Sequence, residues 1–389
     1  MMTTTIHTRS LYIAMAFALA LLTLIGCTKK DNETAASEAA NDALTHIITD
    51  LKGREVSVKK DIESVAVTFN LEEYLAVTGE EGIDKLVGFS HKYWKGRRGD
   101  AWDTYLAKFP QIGETTDIGY NDSISVETII ALKPDVLIMS APVNYSFIEP
   151  QLDRLSAADI PVVFVDYHSQ TVENHQKSTQ MLGDLMGKSE RAKEIGEFYA
   201  KQLAVVEDRL STLADADKPK VYMEFSRGVN QYGNSWGKKM WGGLIPQVGG
   251  INIANDFGEG NQVDVNPELV IAANPDVIIF TGSPQEDITN NVVLGYGTDK
   301  QAALKALASY KNRQGWSDLA AVKNNQMSAI YHDLSRHIFD FAGAQMMAKS
   351  IHPELFEDVN PEENLRQFFE KYMPIELTGT WYITLADEK

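Results

Sequence analysis

Ser125–Ser140 reads SVETIIALKPDVLIMS, and Asn266–Thr281 reads NPELVIAANPDVIIFT. Superposed, they bring Glu127 onto Glu268, Pro134 onto Pro275 and Asp135 onto Asp276, at a constant offset of 141 positions. Each copy is one short unit. A carboxylate sits at the start of a helix of about two turns, over Glu127–Ala131 and Glu268–Ala273. The helix stops ahead of a proline, whose ring pushes the preceding residue out of the α region. An aspartate then starts an apolar, largely β-branched run, Val136–Met139 and Val277–Phe280. Such a run fits a strand buried on both faces, as in a parallel sheet. Helix–Pro–Asp–strand pieces are common in α/β chains; a paired match with the same leading Glu is less so. Two copies this far apart predict two similar α/β lobes, not a tandem array, whose period runs about 20–50 residues.

Outward from the first copy, Ile47–Val58 predicts a hairpin around Lys52-Gly53. Ser64–Phe69 and Leu86–Ser90 predict strands flanking a helix over Leu71–Thr78, and Val162–Asp166 closes the first lobe. This alternation argues for a parallel sheet covered on both faces. Thr171–Met186 predicts a helix stopped by Gly187, and Ser189 is the expected cap of a second. Its apolar residues Ile195, Tyr199, Leu203, Val206, Leu210 and Leu213 step by three and four, a helical stripe. Ser189–Ala214 would run about 38 Å, enough to cross between lobes. Val221–Phe225 opens the second lobe, and helices over Gln301–Ser309, Phe339–Ile351 and Asn364–Tyr372 follow.

The length allows two domains. A formal charge of −18 argues against a nucleic-acid role, which wants a basic face. Residues 1–10 carry one charge, Arg9, and Leu11–Ile25 is apolar except for Thr23. That run is short for a membrane span of about 20 residues and has the shape of a signal-peptide core. It ends in Leu24-Ile25-Gly26-Cys27, which resembles the bacterial lipobox, and Cys27 is the only cysteine of the chain. Thr28–Asn41 is small, polar and without apolar period, as in a flexible tether. The expected organisation is a lipoprotein leader over 1–26, a tether over 27–45, a first lobe over 46–170, connecting helices over 171–214, and a second lobe over 215–389 with its closing helices.

Several pieces together resemble one family, the substrate-binding proteins of ABC importers for iron chelates, haem and cobalamin. They are the lipobox at Cys27, the segment Asp50-Leu51-Lys52-Gly53-Arg54-Glu55-Val56, the paired units above, Val248-Gly249-Gly250-Ile251-Asn252-Ile253-Ala254, Leu319–Asn324 and His352–Phe356. The resemblance implies two Rossmann-like lobes with parallel sheets joined by one long rigid helix, and a monomeric binding protein with no cofactor rather than an enzyme. It implies an anchored lipoprotein facing the periplasm or cell exterior, with an ABC permease dimer and a small-molecule chelate as partners. Glu127 and Glu268 stand where the family docks arginines of the permease. A carboxylate near a helix N-terminus is held by the dipole and accepts an arginine fork bidentately. The chain departs from the family in Ile62–Ala66, where Pro-x-Arg-Ile-Val is usual, and in Ser283–Gly315, which is longer than usual.

In this architecture the ligand lies between the lobes, on loops that follow strands. The first such loop, His91–Arg98, is the densest positive segment and carries Tyr93, Trp94, Arg97 and Arg98. The second holds Arg227, Trp236 and Trp241, and the third His332, Arg336 and His337. Guanidinium groups pair with carboxylate or catecholate oxygens, while aromatic rings cover apolar faces. The set suits a flat anionic ligand, a ferric chelate of the siderophore type first. Haem, cobalamin or a molybdate-type oxyanion are the alternatives. The eight histidines form no HxH or HxxxH pair, so no direct metal site is expected, although His91 and His332 from opposite lobes would complete the coordination of a chelated iron. A surface-anchored hydrolase using Asp166 and His168 is a remote alternative, for which the sequence offers no nucleophile motif. A scaffolding lipoprotein without a cleft is another.

Overall fold

Both copies of the repeated unit fold alike, and each sets the middle of a sheet. The computed structural model describes residues 44–169, 171–258, 262–284 and 291–387. The expected leader, Cys27 and almost all of the tether lie outside them. The chain enters through a hairpin, β1 (Thr45–Thr49) and β2 (Glu55–Lys59). Asp50 forms its turn, accepting the Lys52 and Arg54 amides and the Arg54 guanidinium. The first lobe continues with β3 (Val65–Val67), α1 (Leu71–Thr78), β4 (Leu86–Phe89), α2 (His91–Arg97), α3 (Gly99–Lys108), β5 (Thr116–Asp117), α4 (Val126–Leu132), β6 (Val136–Ser140), α5 (Ala141–Ile148) and β7 (Val162–Val165). The sheet order is β5-β4-β3-β6-β7, all parallel. Parallel order points every strand's C-terminal end the same way, so the loops after them gather on one edge.

Two packed helices follow, α6 (Val172–Leu185) and α7 (Ser189–Leu210). Thr171 caps α6 through its side chain, whereas Ser189 is already helical in α7. Helix α7 stops at Leu210, short of Ala214, so its 22 residues span about 33 Å. Leu213 falls beyond its end. Ile195, Tyr199 and Val206 of the stripe are buried.

The second lobe runs through β8 (Lys220–Phe225), β9 (Asn234–Ser235), α8 (Trp241–Gln247), β10 (Ile251–Asn252), β11 (Val263–Asp264), α9 (Pro267–Ala273), β12 (Val277–Gly282), α10 (Lys300–Ser309), β13 (Met327–Tyr331), α11 (Phe341–Ile351), α12 (Pro361–Tyr372) and β14 (Tyr382–Thr384). Its sheet is mixed, which corrects the expectation of two parallel sheets. The core β8, β12, β13 and β10 is parallel, but β9, β11 and β14 run antiparallel to their neighbours. The chain returns after α12 against the free edge of β13, and an antiparallel strand there covers an edge that would otherwise be exposed.

The repeat is a structural one in detail. Helices α4 and α9 are capped by the side chains of Ser125 and Asn266, and end on the left-handed residues Lys133 and Asn274 before their prolines. The aspartate beyond each proline fastens the start of the adjacent strand. Asp135 accepts the Glu63 and Ser64 amides ahead of β3, and Asp276 accepts the Lys220 amide that begins β8.

Candidate functional site

Residues that follow β3, β4, β5, β6 and β7 form one wall of a cleft, and residues that follow β8 and β13 form the other. Phe69, two residues after β3, is fully buried and backs the first wall. Its ring centroid lies 5.7 Å from Tyr93, 6.2 Å from Tyr120 and 5.2 Å from His168. Tyr93 and Tyr120 meet at 4.0 Å. Burial raises the Tyr120 hydroxyl far above the ordinary tyrosine range, so it stays protonated and can donate. Ser140, the last residue of β6, meets His168 Nδ1 at 3.2 Å. The other nitrogen of His168 is buried and has no hydrogen-bond partner among the described residues. Burial, then the charge of Arg336, holds this imidazole well below its usual pKa and therefore neutral.

Across the cleft stand Arg227 after β8 and His332 and Arg336 after β13. The Arg336 guanidinium lies 5.1 Å from the Phe69 centroid and pairs with Asp333. The Arg227 guanidinium lies 5.6 Å from the Phe225 ring. In both arginines Nε is buried without a partner among the described residues. His332 bonds Thr281 through Nδ1 at 3.1 Å and rests on Phe225 at 4.6 Å. Burial pushes it down to about 4, and Arg336, Arg97 and Arg227 add to this in that order. The charges of three arginines, Arg97 from the first wall and two from the second, thus bear on this histidine against the opposing charge of Asp333. A chamber of about 590 Å³ lies between Pro142, Val143 and His168 on one side and Lys238, Lys239 and Met240 on the other.

The segment His91–Arg97 is helix α2 rather than the expected loop, and its period sorts the candidates. Tyr93 and Arg97, four apart, look toward the cleft. Trp94 and Arg98, also four apart, are fully buried. Arg98 pairs with Glu72 at 2.7 Å and lies over the Trp94 ring at 4.4 Å. Trp241 and Trp236 are also interior. Trp241 Nε1 donates to the His332 carbonyl at 3.0 Å, and the Trp236 ring backs His332 at 5.7 Å. Trp94, Arg98, Trp236 and Trp241 are therefore corrected from wall to support. His91 is corrected too: it is buried, its Nε2 meets Thr115 Oγ1 at 2.8 Å, and it packs on Trp102. The first-lobe histidine that faces His332's side of the cleft is His168. Asp166 spends its carboxylate on the His168 and Ser169 amides, Ser169 Oγ and Asn174, not on orienting the His168 ring as a triad would. Tyr120 at the cleft carried no sequence signal, being a single residue in a turn, and His168 stood out only beside Asp166. Among the described residues no group of three or more His, Cys, Asp or Glu is placed to hold a metal ion.

Glu127 and Glu268 lie in the first turns of α4 and α9. Arg154 pairs with Glu127 at 2.9 Å in the exposed first-lobe surface and lowers its pKa. Leu269 and Ile271, beside Glu268, are exposed.

A model described as periplasmic binding protein matches residues 71–333. The uncharacterized ABC transporter substrate-binding lipoprotein YvrC of Bacillus subtilis is 23% identical over 348 residues, 88% of this chain and 97% of that protein. The molybdate-binding protein MolA of Haemophilus influenzae is 21% identical over 353 residues, 84% of this chain and 90% of that one. Among solved structures, the TroA-like periplasmic binding protein FepB of Veillonella parvula matches with a TM-score of 0.80 at 32% identity, covering 87% of this chain and 99% of that chain.

Proposed function

The chain belongs to the periplasmic binding protein family, and from that premise we propose that it captures an anionic ferric chelate of the siderophore type between its lobes. It is a substrate-binding protein of an ABC transporter by kinship; the chelate is our reading. The observation that carries it is the pairing of Arg227 and Arg336, each with a buried Nε that has no partner among the described residues, with the Tyr93–Tyr120 face that Phe69 backs. Guanidinium forks meet anionic oxygens, and aromatic rings cover the apolar faces of a flat or propeller-shaped ligand. The neutral imidazoles of His168 and His332 keep their lone pairs and repel no cation. Capture and delivery to a permease need no nucleophile, and the Ser140–His168 contact lacks an orienting carboxylate. The iron belongs to the cargo, so no resident cofactor is invoked.

A second reading, a molybdate-type oxyanion, is favoured by Arg227 and Arg336, which flank the Phe225–His332 corner and the Phe69 ring, and by the likeness to a molybdate-binding protein. A tryptophan-fluorescence and calorimetric titration of the mature chain decides between them. The panel is the ferric complexes of a tricatecholate, a trihydroxamate and citrate, with haem, cobalamin and molybdate. Submicromolar binding of a ferric chelate, and not of its iron-free form, is expected; binding of molybdate alone would move the assignment to the oxyanion. We further read Cys27 as the acylated residue of a lipid anchor facing the periplasm or cell exterior, in keeping with the lipoprotein relative. Cys27→Ser should release the protein from membranes in a fractionation assay.

A further inference from the structure

Arg313 follows α10, outside the cleft, and is 2% exposed. Its guanidinium meets both oxygens of Glu224, at 3.0 and 2.7 Å. It also donates to three carbonyls of the turn that follows β8: Val229 at 2.9 Å, Gly228 at 3.2 Å and Gln231 at 2.6 Å. Tyr232, Tyr310 and Trp316 surround it at 4.4, 4.5 and 4.6 Å. Tyr310 grips the same turn from its other end. Its hydroxyl accepts the Gly228 amide at 2.9 Å and meets Ser226 Oγ at 2.6 Å. Ser226 Oγ in turn accepts the Val292 amide at 2.7 Å, and Glu224 accepts the Gly233 amide at 3.2 Å. Backbone or side-chain groups of Ser226, Gly228, Val229, Gln231 and Gly233 are thus all fastened. Arg227, between two of these points, lays its guanidinium 5.6 Å from the Phe225 ring on which His332 rests.

We propose that Arg313 is a positioning residue for ligand capture: with the Tyr310 hydroxyl it fixes the turn 226–233 so that Arg227 is held ready in the cleft. The inference rests on the cleft being the ligand site, as argued above. Pre-fixing the turn removes an ordering cost from binding and gives the cleft one arginine geometry to select against. Only a planar fork serves this arrangement. A lysine can face Glu224 but cannot also span three carbonyls.

The test uses the mature chain with Arg313→Lys, Tyr310→Phe, Arg227→Gln and the Arg313→Lys/Arg227→Gln double variant. Tyr310→Phe keeps the packed ring if Arg313→Lys folds poorly. In ligand-free protein, hydrogen exchange at 226–233 should accelerate in Arg313→Lys and, less so, in Tyr310→Phe, while β12 and β13 keep their protection. The His332 imidazole, followed by NMR, should titrate higher in Arg313→Lys in the same direction as in Arg227→Gln, because Arg227 is one of the charges that depress it. The ferric tricatecholate should bind more weakly to Arg313→Lys, and the double variant should lose no more than Arg227→Gln alone. Unchanged exchange and His332 titration overturn the proposal, as does protection lost evenly across the lobe or affinity losses that add in full. Failure of the chelate to bind the parent falls on the ligand reading instead, and the exchange and His332 results still decide the role of Arg313.

Discussion

Arg97 and Arg98 adjoin in sequence and belong to different parts of the molecule. Arg97 is exposed at the cleft rim, while Arg98 faces Glu72 with both side chains wholly buried. Arg97→Gln should weaken ferric-chelate binding by about 1.5–3 kcal/mol, the range of a hydrogen bond to a charged group, and shift stability by no more than about 0.5 kcal/mol. Arg98→Met should instead destabilise the fold by about 3–5 kcal/mol, because Glu72 is left charged and buried. Urea unfolding beside chelate titration separates the two; matching profiles for both variants would contradict the assignment. The sequence held the residue types of the site but not their directions. A basic aromatic segment reads as a binding loop, and only the helical period of α2 reveals that half of it faces inward. A second residue, Asp100, gives a pH dependence. Burial pushes its carboxyl up to about 6, against the opposing pull of Arg98. A folded-state pKa above the unfolded value of about 3.9 means that the folded protein holds this proton more tightly. The stabilising contribution is full below about pH 4 and is lost as pH rises through about 6. Asp100→Asn can still accept the Tyr296 amide, which now donates to Asp100 Oδ2 at 3.1 Å. The parent-minus-variant stability difference should therefore fall between about pH 4 and 6, and a flat difference would refute it.

At the scale of the element, the repeated helix–Pro–Asp–strand unit was legible because each of its parts has a local cause. The caps, the proline stops and the apolar strands all follow from neighbours in sequence. What sequence could not give was how the short outer strands pair. Strands β9, β11 and β14 span two or three residues each, too short to show a period, and their antiparallel sense is set by where the chain returns. The same unit puts Glu127 and Glu268 at equivalent first-turn positions of α4 and α9, one on each lobe. If they meet arginines of the permease, Glu127→Ala/Glu268→Ala should abolish transport in cells while chelate affinity stays at the parent value. A loss of affinity would show that these carboxylates serve the cleft instead. The units are not equivalent in one respect: Glu127 is held by Arg154 of its own lobe. A permease arginine must share or displace that partner, so the two single variants should differ in residual transport.

Across the whole molecule, the lobes meet through buried charge rather than apolar surface alone. Glu73 of α1 meets His337 Nδ1 at 2.7 Å and the Ile338 amide at 3.2 Å. Glu72 beside it accepts the Tyr296 hydroxyl at 2.7 Å. Asp333 stands between Arg336 at the cleft and Arg98, 3.8 Å away, in the interface. Buried contacts of this kind tolerate little displacement, since separating them leaves the carboxylates without their partners. Helix α7 adds a staple. Arg191 donates to the Ala76 carbonyl of α1 at 2.8 Å and to the Tyr372 carbonyl of α12 at 2.9 Å, joining both lobes through one side chain. Lobe spacing should therefore change little on ligand binding, and the cleft should be nearly formed before the ligand arrives. Solution X-ray scattering of the mature chain should give superimposable profiles with and without the ferric chelate. In Arg191→Ala the ligand-free protein should widen, and the chelate should restore the parent profile at some loss of affinity, since binding must now supply the ordering that Arg191 provides. A parent that contracts on binding as much as Arg191→Ala does would place the hinge in this interface and remove the case for a preformed cleft.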